Sequence, residues 1–350
     1  MTPQALGNPE SICEVMPLDV LQKPIFLFSI GRSGSTMAQR ILAAHEQIHV
    51  PTSEPHILLP YLYTTRTDGV YAEYGHKGVV RSVEDLCGNM PEGKEEYLFE
   101  VRELVLRLYA RTAPEGVRYF LDKTPRYHLI VDDIMRLFPE GKFLFLWRNP
   151  LAIVASNMDT WAGGRWNLYR YKVDLFDGLE NLVEAYREHS SKVCAVHFET
   201  LVANPIEEWT RVFDYLELAF EPAILEEFGK VKPQGRPGSR PPMGDHPGIE
   251  RYSRISQEPL TKWKQSLSNP ARKTWSRRYL RWIGAERLAT MGYDLDELLA
   301  ELDSLPTSSR RLGSDLLHGG YGLISQLLEP AILKRKLQLL PSWHRIHLHR

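Results

Sequence analysis

The chain has 350 residues, 43% of them hydrophobic, enough to bury one large α/β core with insertions or two domains. Its 43 Lys+Arg against 44 Asp+Glu leave a formal net charge of −1, so no global field recruits nucleic acid or an anionic membrane. Three scattered cysteines, Cys13, Cys87 and Cys194, fit neither a disulfide scaffold nor a zinc site and point to a reducing compartment.

Residues 1–22 are expected to be an N-terminal extension. Glu10, Glu14 and Asp19 and the lack of a basic start before an apolar stretch exclude a secretory signal, and no window of about 18 uninterrupted apolar residues predicts a membrane span. A cytoplasmic location is therefore expected. Ile25 to Ile30 is a continuous apolar run with aromatic and β-branched members, the pattern of a strand buried on both faces of a parallel sheet. A Gly/Ser loop from Gly31 to Thr36 leads into a helix over Met37 to Ala44. Ile48 to Val50 is a short strand, Pro51 to His56 a rigid turn, and residues 64–94 an insertion or lid. Tyr97, Leu98, Val101, Leu104, Val105, Leu108 and Tyr109 recur at helical spacing with a core-facing stripe.

Tyr119 to Leu121 is another strand, followed by Asp122-Lys-Thr-Pro-Arg126 and a helix through Phe138. Lys142 to Trp147 is a strand ending in Arg148-Asn-Pro150 and a helix from Leu151 to Met158. Val193 to Phe198 is the next strand, and Asn204-Pro205 starts a helix reaching Tyr215. Strands alternating with helices predict a parallel sheet of four or five strands with right-handed crossovers. Residues 230–259 turn to Gly, Pro, Arg and Ser, a loop long enough to be functional or disordered. Helices resume over Leu260 to Ser268 and Ala271 to Met291. Residues 301–350 read as a C-terminal extension with a basic helical piece, Ala331 to Leu340, and His344, His347 and His349. That histidine spacing has no second ligand cluster, so no metal is expected.

The first loop carries the chemistry of an anion cradle. Gly31 and Gly34 let backbone N–H groups approach an anion, Ser35 and Thr36 are expected to cap the following helix, and Arg32 adds a forked cation. Ser35 stands where a nucleotide triphosphatase loop, G-x-x-x-x-G-K-[ST], has its lysine. Arg148, at a strand's C-terminal end, and Ser156, about two helical turns on, form a candidate second anion site.

Together, Ile-Gly-Arg-Ser-Gly-Ser-Thr36 and Phe-Leu-Trp-Arg-Asn-Pro-Leu-Ala-Ile-Val-Ala-Ser156 resemble the two phosphate-binding motifs of sulfotransferases that use 3′-phosphoadenylyl sulfate (PAPS). Asp122-Lys-Thr-Pro125, Phe138-Pro139 and Thr261-Lys-Trp263 are similar to stretches of tyrosylprotein sulfotransferases and their bacterial relatives, so the resemblance spans roughly residues 23–300. It implies a P-loop-like three-layer α/β fold, a central parallel β-sheet flanked by helices. It also implies that Arg32, Ser33, Gly34, Ser35 and Thr36 grip the 5′ phosphosulfate, that Arg148 and Ser156 hold the 3′-phosphate, and that PAP is the product. Glu54 is similar to the family's catalytic glutamate, with His56 the competing base. Lys123 is expected to join Arg32 in stabilising the leaving oxygen. Ser253 or Ser256 would donate to the transferring group and Lys262 touch the 3′-phosphate. Phe198 stands where the family often has tyrosine, implying stacking on adenine without a hydroxyl.

The expected activity is sulfuryl transfer to a hydroxyl or amine, the acceptor being a small-molecule metabolite rather than a protein or polysaccharide. Trp161, Trp166, Tyr169, Tyr171 and Phe176 are candidate pocket aromatics. No nucleic-acid partner is expected, and homo-oligomerisation is left open. The rival readings are a kinase of the same loop architecture and a non-catalytic nucleotide-binding protein.

Overall fold

A computed structural model describes residues 23–51, 54–63, 76–230 and 254–328. Among them, β1 (Ile25–Phe28), β2 (Ile48–His49), β3 (Tyr119–Asp122), β4 (Lys142–Trp147) and β5 (Val193–His197) form one all-parallel sheet in the order β2-β3-β1-β4-β5. The two-residue strand β2 makes the count five.

The alternation of a strand sends successive side chains to opposite faces. Phe26, Phe28, Phe143 and Phe145 therefore enter one core, where Phe28 lies 6.1 Å from Phe143 and 5.3 Å from Phe145. Ile25, Leu27, Leu144 and Leu146 enter the other. The helices Lys94–Thr112, Val131–Leu137, Pro150–Trp161 and Leu179–His189 cover the aromatic face. Ser35–Ala43, Phe198–Ala203 and Pro205–Tyr215 cover the aliphatic face, completing three layers.

Several local expectations are corrected. The loop helix begins at Ser35 with Gly34 as N-cap and no side-chain cap, so Ser35 and Thr36 do not cap it. The segment after Asp122 is a 3₁₀ turn, Pro125–Leu129, broken at Ile130, whose φ −139° and ψ 29° are not helical, before the short helix Val131–Leu137. The insertion contains a helix, His76–Cys87; residues 64–75 lie outside the described part. Within Pro270–Thr290, Gly284 adopts φ 80°, ψ 160°, a conformation open to glycine that breaks the expected continuous helix. The Leu312–Leu328 helix of the expected extension is stapled to the core: Asp315 accepts from Arg272 Nε at 2.7 Å and Nη2 at 2.8 Å, with both side chains buried. Ala331 to Leu340 and the three tail histidines lie outside the described residues.

Candidate active site

The C-terminal ends of the strands open on one cleft of about 370 Å³. In sheet order, the segments after β2, β3, β1, β4 and β5 deliver Glu54, Lys123, the Gly31–Thr36 loop, Arg148 and Phe198 to it. This is the crevice in which open α/β sheets bind ligands.

The loop turns tightly after β1: Ser33 N–H donates to Ile30 O at 3.2 Å, and Arg32 occupies the left-handed region at φ 73°. Such a conformation costs a non-glycine residue about 1 kcal/mol or more, and it is held here from two sides. Arg32 Nε donates to Ser156 Oγ at 3.2 Å, and the Arg32 carbonyl accepts from Arg148 Nη1 at 2.8 Å. The two expected anion sites are thus joined. Gly31, Arg32, Gly34, Ser35 and Thr36 line the cleft, whereas Ser33 is buried behind it.

Gly34 has φ 95°, and a Cβ there would come within 2.4 Å of the Phe198 ring. The Arg148 guanidinium sits 4.3 Å from the centroid of that ring and also donates to Pro259 O at 3.2 Å. Phe198 is therefore a 5% exposed wedge between the loop and Arg148. The ring also lines the cleft. The wedge is held by the next residue: Glu199 accepts from Asn149 N–H at 2.9 Å and from the Tyr293 hydroxyl at 2.8 Å.

At the β2–β3 side, Lys123 Nζ donates to Glu54 Oε1 at 2.5 Å, and His56 Nε2 lies 3.4 Å from Glu54 Oε2. The Lys123 and Glu54 side chains are 2% and 12% exposed. Burial alone would raise the Glu54 pKa; the His56 hydrogen bond and the Lys123 charge outweigh it and hold the carboxyl below its ordinary 4.5. His56, at φ 53°, is fixed by its N–H to Thr124 Oγ1 at 3.3 Å and does not line the cleft.

Asp122 supports this pair without touching it. Its buried carboxylate accepts from Tyr109, Tyr127 and Thr124 hydroxyls at 2.5, 2.9 and 3.1 Å. Burial pushes its pKa up to about 6 despite those bonds. Although Asp122 precedes Lys123 in the chain, Lys123 bonds Glu54.

Lys262 lines the cleft and pairs with Glu258 at 3.1 Å; Ser256 lines it too, and Ser253 lies outside the described residues. Of the aromatic candidates, Trp161 and Tyr171 line the cleft. Trp166 packs on Trp275 at 5.5 Å and Phe176 on the buried Tyr279 at 5.4 Å, and neither lines the cleft. The side chain of Tyr169 is not described. Sequence reading missed Arg40, which lies one turn after Thr36 and whose burial lowers its pKa, and Asp174, for which no local signal exists. Asp132, Glu188 and His189 are the one group among the described residues spaced for a metal, but Arg136 pairs with both carboxylates and none lines the cleft.

The sulfotransferase family profile matches residues 24–222, more than half of the chain. The chain belongs to the sulfotransferase family. Relatives include the nodulation protein NoeE of Sinorhizobium fredii, 33% identical over 149 residues, 42% of this chain and 34% of that protein. The protein-tyrosine sulfotransferase of Drosophila melanogaster is 25% identical over 250 residues, 68% of this chain and 46% of that protein. Protein-tyrosine sulfotransferase 1 of Danio rerio is 24% identical over 301 residues, 84% and 77% respectively. The match thus spans about a third to under half of the length of the first two relatives.

Among solved structures, the sulfotransferase domain from the curacin biosynthetic pathway is similar at 23% identity and a TM-score of 0.47, covering 69% of this chain and 90% of that one. Mouse sulfotransferase SULT7A1, solved with PAP, is similar at 12% identity and a TM-score of 0.42, covering 81% and 91%. Among the described residues of this family member, no helix is long and apolar enough to cross a membrane.

Proposed function

We propose that the protein transfers the sulfuryl group of PAPS to a hydroxyl or amine of a small acceptor in the cytoplasm and releases PAP. The observation that carries this reading is the alignment of strand ends: a cationic loop and Arg148 occupy the β1–β4–β5 side of one cleft, and Lys123 and Glu54, with His56 behind them, occupy the β2–β3 side. A nucleotide with separate 5′ and 3′ anionic groups needs two joined anion sites, and it needs no loop lysine or magnesium for β/γ-phosphates.

In the proposed step the acceptor oxygen or nitrogen attacks sulfur in line. The new bond to sulfur forms as the bond from sulfur to the 5′-phosphate oxygen breaks, and the acceptor proton passes to Glu54. The negative charge developing on the departing oxygen meets Lys123 and Arg32. Before substrate binds, Lys123 neutralises Glu54 at 2.5 Å. A phosphosulfate competing for Lys123 weakens that pairing and raises the basicity of Glu54 as the acceptor arrives. His56, on the other carboxylate oxygen, orients the base. Arg148 and Ser156 would hold the 3′-phosphate, with Lys262 at the cleft rim.

Calorimetric titration with PAP and transfer of ³⁵S from labelled PAPS to metabolite pools test the reading. Glu54→Gln is expected to abolish transfer while keeping PAP affinity within about threefold. Absence of PAP binding, or tighter binding of ATP with Mg²⁺, overturns it.

A further inference from the structure

The Asp174 carboxylate enters the same cleft from the first residue of a single π-helical turn, Asp174–Gly178, a local form that often marks functional sites. It is braced from behind. Its Oδ1 lies 2.7 Å from His128 Nε2 and 3.5 Å from Arg126 Nε. A carboxylate only accepts, so Nε2 of His128 carries the proton. The His128 side chain is fully buried, and its ring lies so close to Gly178 that a Cβ there would fall 2.5 Å from Nδ1. The glycine, the histidine and the π turn together fix where the carboxylate stands. Both contacts land on Oδ1, which leaves Oδ2 of a 15% exposed side chain for a donor in the cleft.

The position within the cleft gives this oxygen its meaning. His128 and Arg126 follow Lys123 on the 3₁₀ turn after β3, so Asp174 belongs to the side that holds Glu54, away from Arg148 at the end of β4. Among the described residues on that side, the buried Lys123 is matched by Glu54, and the exposed Arg126 meets only Oδ1 of Asp174, at 3.5 Å. Oδ2 therefore presents a hydrogen-bond-accepting carboxylate oxygen to the bound acceptor molecule.

Building on the sulfuryl-transfer reading, we infer that Asp174 is a specificity residue that accepts a hydrogen bond from a second hydroxyl or ammonium group of the acceptor, selecting polyols and amino alcohols over simple alcohols and rejecting anionic acceptors. A hydrogen bond to a charged group discriminates by roughly tenfold to a hundredfold, and a carboxylate or phosphate on the acceptor meets like charge.

The full-length protein, saturated with PAP, is titrated by saturation-transfer NMR with four probes: cyclohexanol, trans-1,2-cyclohexanediol, trans-2-aminocyclohexanol and trans-2-hydroxycyclohexanecarboxylate. The diol and the amino alcohol are expected to bind about tenfold tighter than cyclohexanol, and the hydroxy acid weakest. Asp174→Asn should erase the amino alcohol's advantage, and Asp174→Lys should move the hydroxy acid to the top of the ranking; retained PAP affinity reports that the variants fold. A flat ranking in the wild type overturns the inference without any variant, and the same ranking in Asp174→Asn overturns it as well. Failure of the wild type to bind PAP overturns the sulfuryl-transfer reading itself, so the two failures are distinct.

Discussion

Replacing Lys123 by Met isolates the buried Glu54 carboxylate. The methionine fills nearly the volume of the lysine stem, so packing around a 2% exposed side chain is conserved, while the ammonium 2.5 Å from Glu54 Oε1 is lost. Removing one partner of a buried ion pair costs about 3–5 kcal/mol, because the other charge stays desolvated. In the wild type the Glu54 pKa lies below 4.5 in the folded state, so Glu54 contributes stability at neutral pH that is lost as pH falls through that lowered value. Without Lys123, burial is opposed only by His56, so the folded pKa rises from its wild-type position. The variant therefore loses less stability than the wild type as pH falls towards the carboxylate range.

The stability gap between wild type and Lys123→Met is therefore expected to be largest at pH 7–8 and to shrink towards pH 4.5. Urea unfolding of both proteins across that range measures it. A gap that stays constant with pH would refute the assignment of the loss to an uncompensated Glu54 charge and make it a packing effect.

Gly34→Ala is expected to lower PAP affinity at least tenfold, since the new Cβ would meet the Phe198 ring at 2.4 Å in a backbone already at φ 95°; adding Phe198→Ala should restore part of the loss in the same calorimetric assay. Ser156→Ala removes the acceptor of Arg32 Nε and should weaken PAP binding about fivefold, as one hydrogen bond of about 1 kcal/mol predicts. Asp122, with a folded-state pKa raised to about 6 from 3.8, favours the native state as pH falls from above 6 towards 3.8. The urea-stability difference between wild type and Asp122→Asn should accordingly shift towards the wild type between pH 7 and 4.5, and a pH-independent difference would contradict it. Asp315→Ala should cost about 3–5 kcal/mol in thermal unfolding by stranding the buried Arg272, even though residue 315 lies beyond the expected domain boundary.

Much of the scaffold was readable because its causes are local. The apolar runs that became β1 and β4 are buried on both faces, and a strand of that kind has no polar side to confuse the pattern. Gly31 and Gly34 marked the loop where backbone approaches an anion, and the serine at position 35 in place of a loop lysine pointed away from a triphosphate. Arg148 at the end of an apolar run was legible for the same reason. The cap assignment to Ser35 and Thr36 failed because the helix starts at Ser35, two residues earlier than the expected Met37, with Gly34 at its cap.

Other features depend on residues far apart in the chain. Glu54 meets Lys123 across 69 residues because β2 pairs with β3, and neither strand says so alone. Phe198 is a wedge because β5 lies beside β4, which brings its ring against Arg148 and Gly34. Asp174 acquires its role through His128, and that contact requires Gly178 to let the ring approach. The sequence by itself determined which segments form strands and where anion-cradling backbone occurs, since periodicity and glycine act over a few residues. Tertiary structure alone decided which charges are paired, which ring is covered and which carboxylate faces the cleft, because these follow from strand order and from burial, which raises the cost of any unmatched charge.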